Sequence, residues 1–237
     1  MKKLLLALTI LSFTLILPAS GQNRKDAHGL RQGQWTGTYS NGALRYKGTF
    51  KNGKPVGTFF YYYPTGLLKA KMRYADNGHI ARVITYHLNG KPLAQGKFID
   101  KKKDSTWRYY SDTDGKLVLE ETFTKGIKNG PTIVYYGNTG KPSELTEYKN
   151  GRKNGRWVTY FPDGKISTEG FYVNDTLQGP YKAYDINGKL LIKGQYEHAL
   201  QEGLWMIYDT TGKLQRKEFF HNGLQVKKKK AKTPHAK

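Results

Sequence analysis

Cysteine is absent from all 237 residues. That excludes a disulfide framework and thiolate metal ligands, so packing and backbone pairing alone must hold the fold. Long apolar runs are nearly as scarce. The one present, Leu4 to Leu17, follows Lys2 and Lys3 and ends in Pro18-Ala19-Ser20-Gly21. A basic start, a short apolar stretch and small residues read as an export signal over residues 1–21, cut before Gln22. The run is too short for a comfortable membrane span, and no cysteine follows it for lipidation. The mature chain is therefore expected to be exported, to the periplasm, the outer surface or the medium, with no transmembrane segment after cleavage.

Catalytic signatures are missing as well. There is no glycine-rich phosphate loop, Gly-x-Ser-x-Gly elbow or His-Glu-x-x-His pattern. The six histidines are scattered, without the short spacings of metal ligands. Glu120 and Glu121 are adjacent, so on a strand they point to opposite faces. No catalytic, metal or cofactor-binding residue is expected, and enzyme activity is not expected. Acidic residues are few, 18 against 40 Lys and Arg, for a net charge of +22. Part of that excess lies in the tail Lys227 to Lys237, read as disordered. The rest favours anionic partners such as lipid headgroups or acidic polysaccharide, and export makes nucleic acid a poor candidate.

What the chain has instead is a repeat. Gly42, Gly66, Gly90, Gly115, Gly140, Gly164, Gly188 and Gly212 follow one another at 24 or 25 residues. Eight residues after each stands an aromatic: Phe50, Tyr74, Phe98, Phe123, Tyr148, Tyr172, Tyr196 and Phe220. So regular a chain is a surface or scaffold more often than a pocket. In copy six an aromatic-rich run from Gly155 enters a turn at Pro162-Asp163-Gly164, and a second extended run leaves it, which predicts a β-hairpin. A second turn, plain in Lys51-Asn52-Gly53-Lys54, closes each unit.

The outgoing run alternates with period two. Leu44, Tyr46, Gly48 and Phe50 share one face, expected to be buried, against Arg45, Lys47 and Thr49. Gly48, Gly96, Gly170 and Gly194 hold one position, where a missing side chain would admit a neighbouring ring. The incoming run carries two aromatic columns. One holds Trp35, Phe59, Trp107, Trp157, Tyr181 and Trp205, the other the tyrosines 62, 86, 110, 135, 160, 184 and 208. They stand three residues apart, so either a bulge reunites them on one face or the tyrosines form an external ladder.

Trp157, Tyr160, Gly164, Ile166 and Tyr172, and again Trp205, Tyr208, Gly212, Leu214 and Phe220, spell Trp-x-x-Tyr-x-x-x-Gly-x-Leu followed by Tyr or Phe. This resembles the MORN repeat, and more closely the bacterial variant often described as an antitoxin component of toxin–antitoxin systems. The resemblance spans residues 29 to about 224. It implies an elongated, twisted antiparallel sheet of consecutive hairpins acting in protein–protein contacts or in association with phospholipid.

The expected architecture is all-β, about eight tandem hairpins over residues 29–226, with a linker at 22–28 and the basic tail at 227–237. Copies three (Val83, His87, Pro92) and five (Thr132, Pro142) depart from the pattern and read as drift of the repeat. The expected function is a non-enzymatic interaction scaffold in the cell envelope with a protein partner. The alternative is an electrostatic binder of anionic lipid or polysaccharide, and an antitoxin-like role if the chain is not exported. Candidate anionic-surface contacts are Arg45, Lys47, Lys69, Lys71, Arg73, Lys97, Lys193 and Lys217, a strip interrupted by Glu120 and Glu169.

Overall fold

Each hairpin needs two turns, and the chain solves them differently. Between repeats the turn is two residues with positive φ at both, as at Asn52 (50°) and Gly53 (75°), the type I′ geometry that matches strand twist. Within a repeat the loop is longer and glycine alone is left-handed, as at Gly42 (82°). There the preceding Asn or Asp side chain accepts from the backbone N–H two residues on, as Asn41 does from Ala43 at 3.1 Å and Asp163 from Lys165 at 2.9 Å.

The computed structural model describes residues 22–226; the expected leader and basic tail lie outside the described residues. The strands are β1 (Arg24–Lys25), β2 (Arg31–Thr38), β3 (Leu44–Lys51), β4 (Lys54–Tyr62), β5 (Leu68–Ala75) and β6 (Ile80–Tyr86). Next come β7 (Pro92–Ile99), β8 (Lys102–Tyr110), β9 (Leu117–Thr124), β10 (Ile127–Tyr135), β11 (Pro142–Lys149), β12 (Arg152–Tyr160) and β13 (Ile166–Val173). The last are β14 (Thr176–Leu177), β15 (Gly179–Tyr184), β16 (Leu190–Glu197), β17 (Leu200–Tyr208), β18 (Leu214–His221) and β19 (Leu224–Gln225). Each pairs antiparallel with its neighbours in sequence, so the fold is one open meander of hairpins. β14 and β15 together make one incoming strand, paired with β13. The stretch read as a linker carries β1, which covers part of the outer edge of β2, as β19 does for β18.

A single-layer sheet has no second layer to bury its apolar face, so the rings cover one another. Phe59, Trp107 and Trp205 are 2%, 4% and 3% exposed. Each lies flat on the outgoing strand of the preceding hairpin, over Gly48, Gly96 and Gly194, where any Cβ would overlap the ring. Rings eight residues after the turn glycine stand edge-on to them: Phe50–Phe59 at 5.1 Å and 87°, Phe98–Trp107 at 4.8 Å and 70°, Tyr196–Trp205 at 5.2 Å and 83°. These are favoured aromatic geometries.

The slot explains the irregular copies. Where the column ring shrinks to Val83, the slot holds Met72, and where it shrinks to Thr132, the slot holds Glu121. Large and small side chains exchange places across the junction, so these copies fill the slot in complementary ways. Thr146 opposite Trp157 is intermediate, and that tryptophan is only half-buried. His87 likewise does the work of a tyrosine. Its Nε2 lies 3.1 Å from the Tyr110 carbonyl, as the hydroxyls of Tyr39 and Tyr63 donate to those of Tyr62 and Tyr86 at 2.7 and 2.8 Å.

Much of the basic charge is structural. The lysine after the turn glycine reaches a carbonyl in the next repeat's turn: Lys116 to Gly137 at 3.1 Å, Lys141 to Asp163 at 2.6 Å, Lys165 to Ile186 at 3.0 Å, Lys189 to Thr210 at 2.8 Å. Lys91 does the same to Thr113.

Three substitutions test the slot. Gly96→Ala should cost about 1–3 kcal/mol by overpacking, and Trp107→Ala about 3–5 kcal/mol. Trp157→Ala should cost clearly less because its ring is half-buried. Urea unfolding of the three variants checks the order; equal losses at Trp107 and Trp157 would show that slot burial does not set stability.

Candidate functional site

The second face of the sheet is read by following cross-strand partners, because directly opposed residues share a face. From Thr36 one row crosses the sheet through Lys47, Phe60, Lys71, Ile84, Gln95, Arg108 and Glu120. It continues through Ile133, Leu145, Val158, Glu169, Lys182, Lys193 and Met206 to Lys217. Every hairpin contributes two side chains.

Tyr135, Tyr184 and Tyr208 of the tyrosine column reach this face. A register shift recurs at each of them, for example between Val134 and Tyr135 and between Ala183 and Tyr184. It does not carry them to the ring face. The Tyr135 hydroxyl donates to Glu120 at 2.9 Å and the Tyr184 hydroxyl to Glu169 at 2.7 Å, so they stand as an external ladder. Each ladder carboxylate is also held by a cation, Arg108 on Glu120 at 2.6 Å and Lys182 on Glu169 at 3.0 Å. The Tyr184 hydrogen bond, with help from Lys182 and Arg156, holds the Glu169 carboxyl below the ordinary carboxylate range. Burial, then Glu120, pushes Tyr135 up to about 12.

Of the strip expected from sequence, Lys47, Lys71, Lys193 and Lys217 lie on the ladder itself. Arg73 and Lys97 lie one row over, joined by Arg82, which opposes both. Arg45 and Lys69 sit where the register skips a residue at the end of their hairpins. They turn instead to a hollow lined by Tyr46, Phe50, Phe59 and Tyr61. Arg82, Arg108 and Lys182 escaped the sequence reading because it followed charges along outgoing strands only. Counting the alternation of the incoming strands would have found them.

The cations concentrate around copy three. A depression of about 340 Å³ is lined by Lys71, Arg73, Arg82, Lys97 and Arg108. Arg108 is paired with Glu120, and Lys97 lies 3.4 Å from Asp104. Lys71, Arg73 and Arg82 make no ion pair with the described residues. On the ring face two hollows of about 650 and 690 Å³ meet at Met72 and Phe98, where Val83 leaves out a ring.

Copy three differs in its backbone too. Elsewhere the incoming strand takes a positive φ two residues before its column ring, at Gly57 (69°), Ser105 (60°) or Gly203 (68°), and holds two extra residues in a bulge. Copy three has Ala81 there, and β5 pairs with β6 without a shift. The two residues go into a longer loop with a 3-10 turn at Asp76–Gly78. Among the described residues no group of three or more His, Asp or Glu gathers as metal ligands would.

Four stretches, residues 31–52, 153–174, 177–198 and 201–222, match the MORN repeat variant, and each is one complete hairpin. The chain carries MORN repeats. Its MORN matches fall on copies one, six, seven and eight; copies two to five continue the same meander between them. The match concerns the MORN repeat and brings no antitoxin role with it. No curated protein matches the chain. MORN repeats are commonly protein-binding or membrane-binding modules, in keeping with a non-enzymatic array.

The Glu169 clamp is open to test. Its folded pKa is depressed, so its contribution to stability is present above the ordinary glutamate range and fades as pH falls through the lowered value. Tyr184→Phe should move the Glu169 midpoint upward in a side-chain ¹³C NMR titration. An unmoved midpoint would assign the charge to Lys182 and Arg156 alone.

Proposed function

We propose that the protein is a non-catalytic docking array acting outside the cytoplasm, where it holds a protein partner along its sheet. The observation that carries this reading is the unbroken row from Thr36 to Lys217, to which every hairpin adds side chains on one face. Such a face offers regularly spaced contacts over a length that a compact pocket does not. The leader sequence motivates the location, since its basic start and short apolar run are those of an export signal.

A second reading is electrostatic contact with an anionic lipid or polysaccharide surface. Lys71, Arg73 and Arg82, unpaired among the described residues, favour it. The two separate by salt, because screening weakens exposed charge contacts strongly. Affinity capture from the envelope fraction of the source organism should be run with the mature chain at low and high salt. A Lys71→Glu/Arg82→Glu variant serves as control. One stoichiometric protein retained by the wild type through high salt is the expected result. Retention of lipid or polysaccharide alone, lost with salt, would replace the first reading with the second.

A further inference from the structure

We propose that Arg73, Arg82 and Lys97 form a discrete site for one phosphate-type dianion on the ladder face. This rests on the electrostatic reading and narrows it from a diffuse strip to a built site. The three residues stand directly opposite one another on adjacent strands, Arg73 against Arg82 and Arg82 against Lys97. One strand spacing, about 4.8 Å, separates successive members of the row. Like charges in direct cross-strand opposition destabilise a sheet. At the equivalent junctions on either side the fold avoids this, opposing Thr49 with Val56 and Lys97 with Asp104. Here it does not, and Ala81 removes the bulge that would have thrown the arginines out of register.

The depression around them supplies the rest of a site. Besides the cations it is lined by Gln95 and Thr106, whose side chains have no hydrogen-bond partner among the described residues. Val83, Ile84 and Gly96 complete the lining. Charge selects the ligand. Lys97 shares its charge with Asp104, so the two arginines, with Lys71 beside them, are left uncompensated among the described residues. A phosphate monoester carries about −1.5 to −2 at neutral pH, whereas one carboxylate would leave an arginine unanswered. Two guanidinium forks can grip such an oxyanion bidentately, which an ammonium cannot reproduce.

The test uses the mature chain with inorganic phosphate titrated against chloride at matched ionic strength, followed by ¹⁵N NMR. Expected are saturable shifts confined to residues 71–74, 81–84 and 95–98. Arg82→Lys keeps the charge but loses the fork, and should weaken phosphate binding about tenfold. Arg82→Gln relieves the opposition, so it should melt higher than wild type in low-salt chloride and lose the phosphate-dependent rise. A parallel arm uses vesicles with and without a phosphate-monoester headgroup. Saturable binding of free phosphate assigns a soluble or polymer-borne group, and Arg82-dependent binding to the vesicles alone assigns a lipid source. Non-saturating shifts that extend to Lys47, Lys193 and Lys217, with Arg82→Lys equal to wild type, would overturn the site while leaving diffuse electrostatic binding intact. Failure of the wild type to bind anionic vesicles as well would remove the electrostatic reading itself.

Discussion

The array depends on one contact: a flat ring laid on the bare backbone of the hairpin before it. A sheet packed against nothing must find its own apolar cover, and here successive repeats supply it. Phe59 on Gly48, Trp107 on Gly96 and Trp205 on Gly194 each join two hairpins through a contact that neither can make alone. Edge-on rings at about 5 Å continue the stack across the repeats. Stability in such a chain is a property of junctions between repeats more than of the repeats themselves.

Because the ring face meets the packing demand, the other face is free to carry charge. Its row of partners is continuous, but its chemistry is uneven. The middle is neutral, with Val158 wholly buried and Glu120 and Glu169 each held by a cation and a tyrosine. Around copy three the balance tips to uncompensated positive charge. There too the bulge is missing, the column ring is absent and hollows open on the ring face. Departures from local rules at one place, each with a cost in stability, are what a functional site in a regular scaffold looks like.

The repeat, the hairpins, the alternating outgoing strands and the glycine slots were legible in the sequence because glycine and aromatic spacing report backbone geometry directly. Gly48 and Gly194 could be read as ring seats before any coordinate was known. The pairing of Met72 with Val83 and of Glu121 with Thr132 was not legible, since each pair spans two repeats and needs the register between them. The same gap hid Arg82: its neighbours Arg73 and Lys97 are nine and fifteen residues away in sequence but one strand away in space. The face of the tyrosine column also needed coordinates, because a three-residue step through a bulge fits either face. The roles of Lys116, Lys141, Lys165 and Lys189 as turn braces show why net charge alone overstated the basic surface available to a partner.

The central claim is that slot and ring are sized to each other across each junction. Transplanting the filling of copy three into the junction at Gly194 and Trp205 tests it most directly, with Gly194→Met, Trp205→Val and the pair together measured by urea unfolding. The account requires both single changes to destabilise and the double variant to recover part of the loss, with a coupling of about 1–3 kcal/mol. Strictly additive losses would contradict it and would mean that the rings rest on the sheet without reading what lies beneath them.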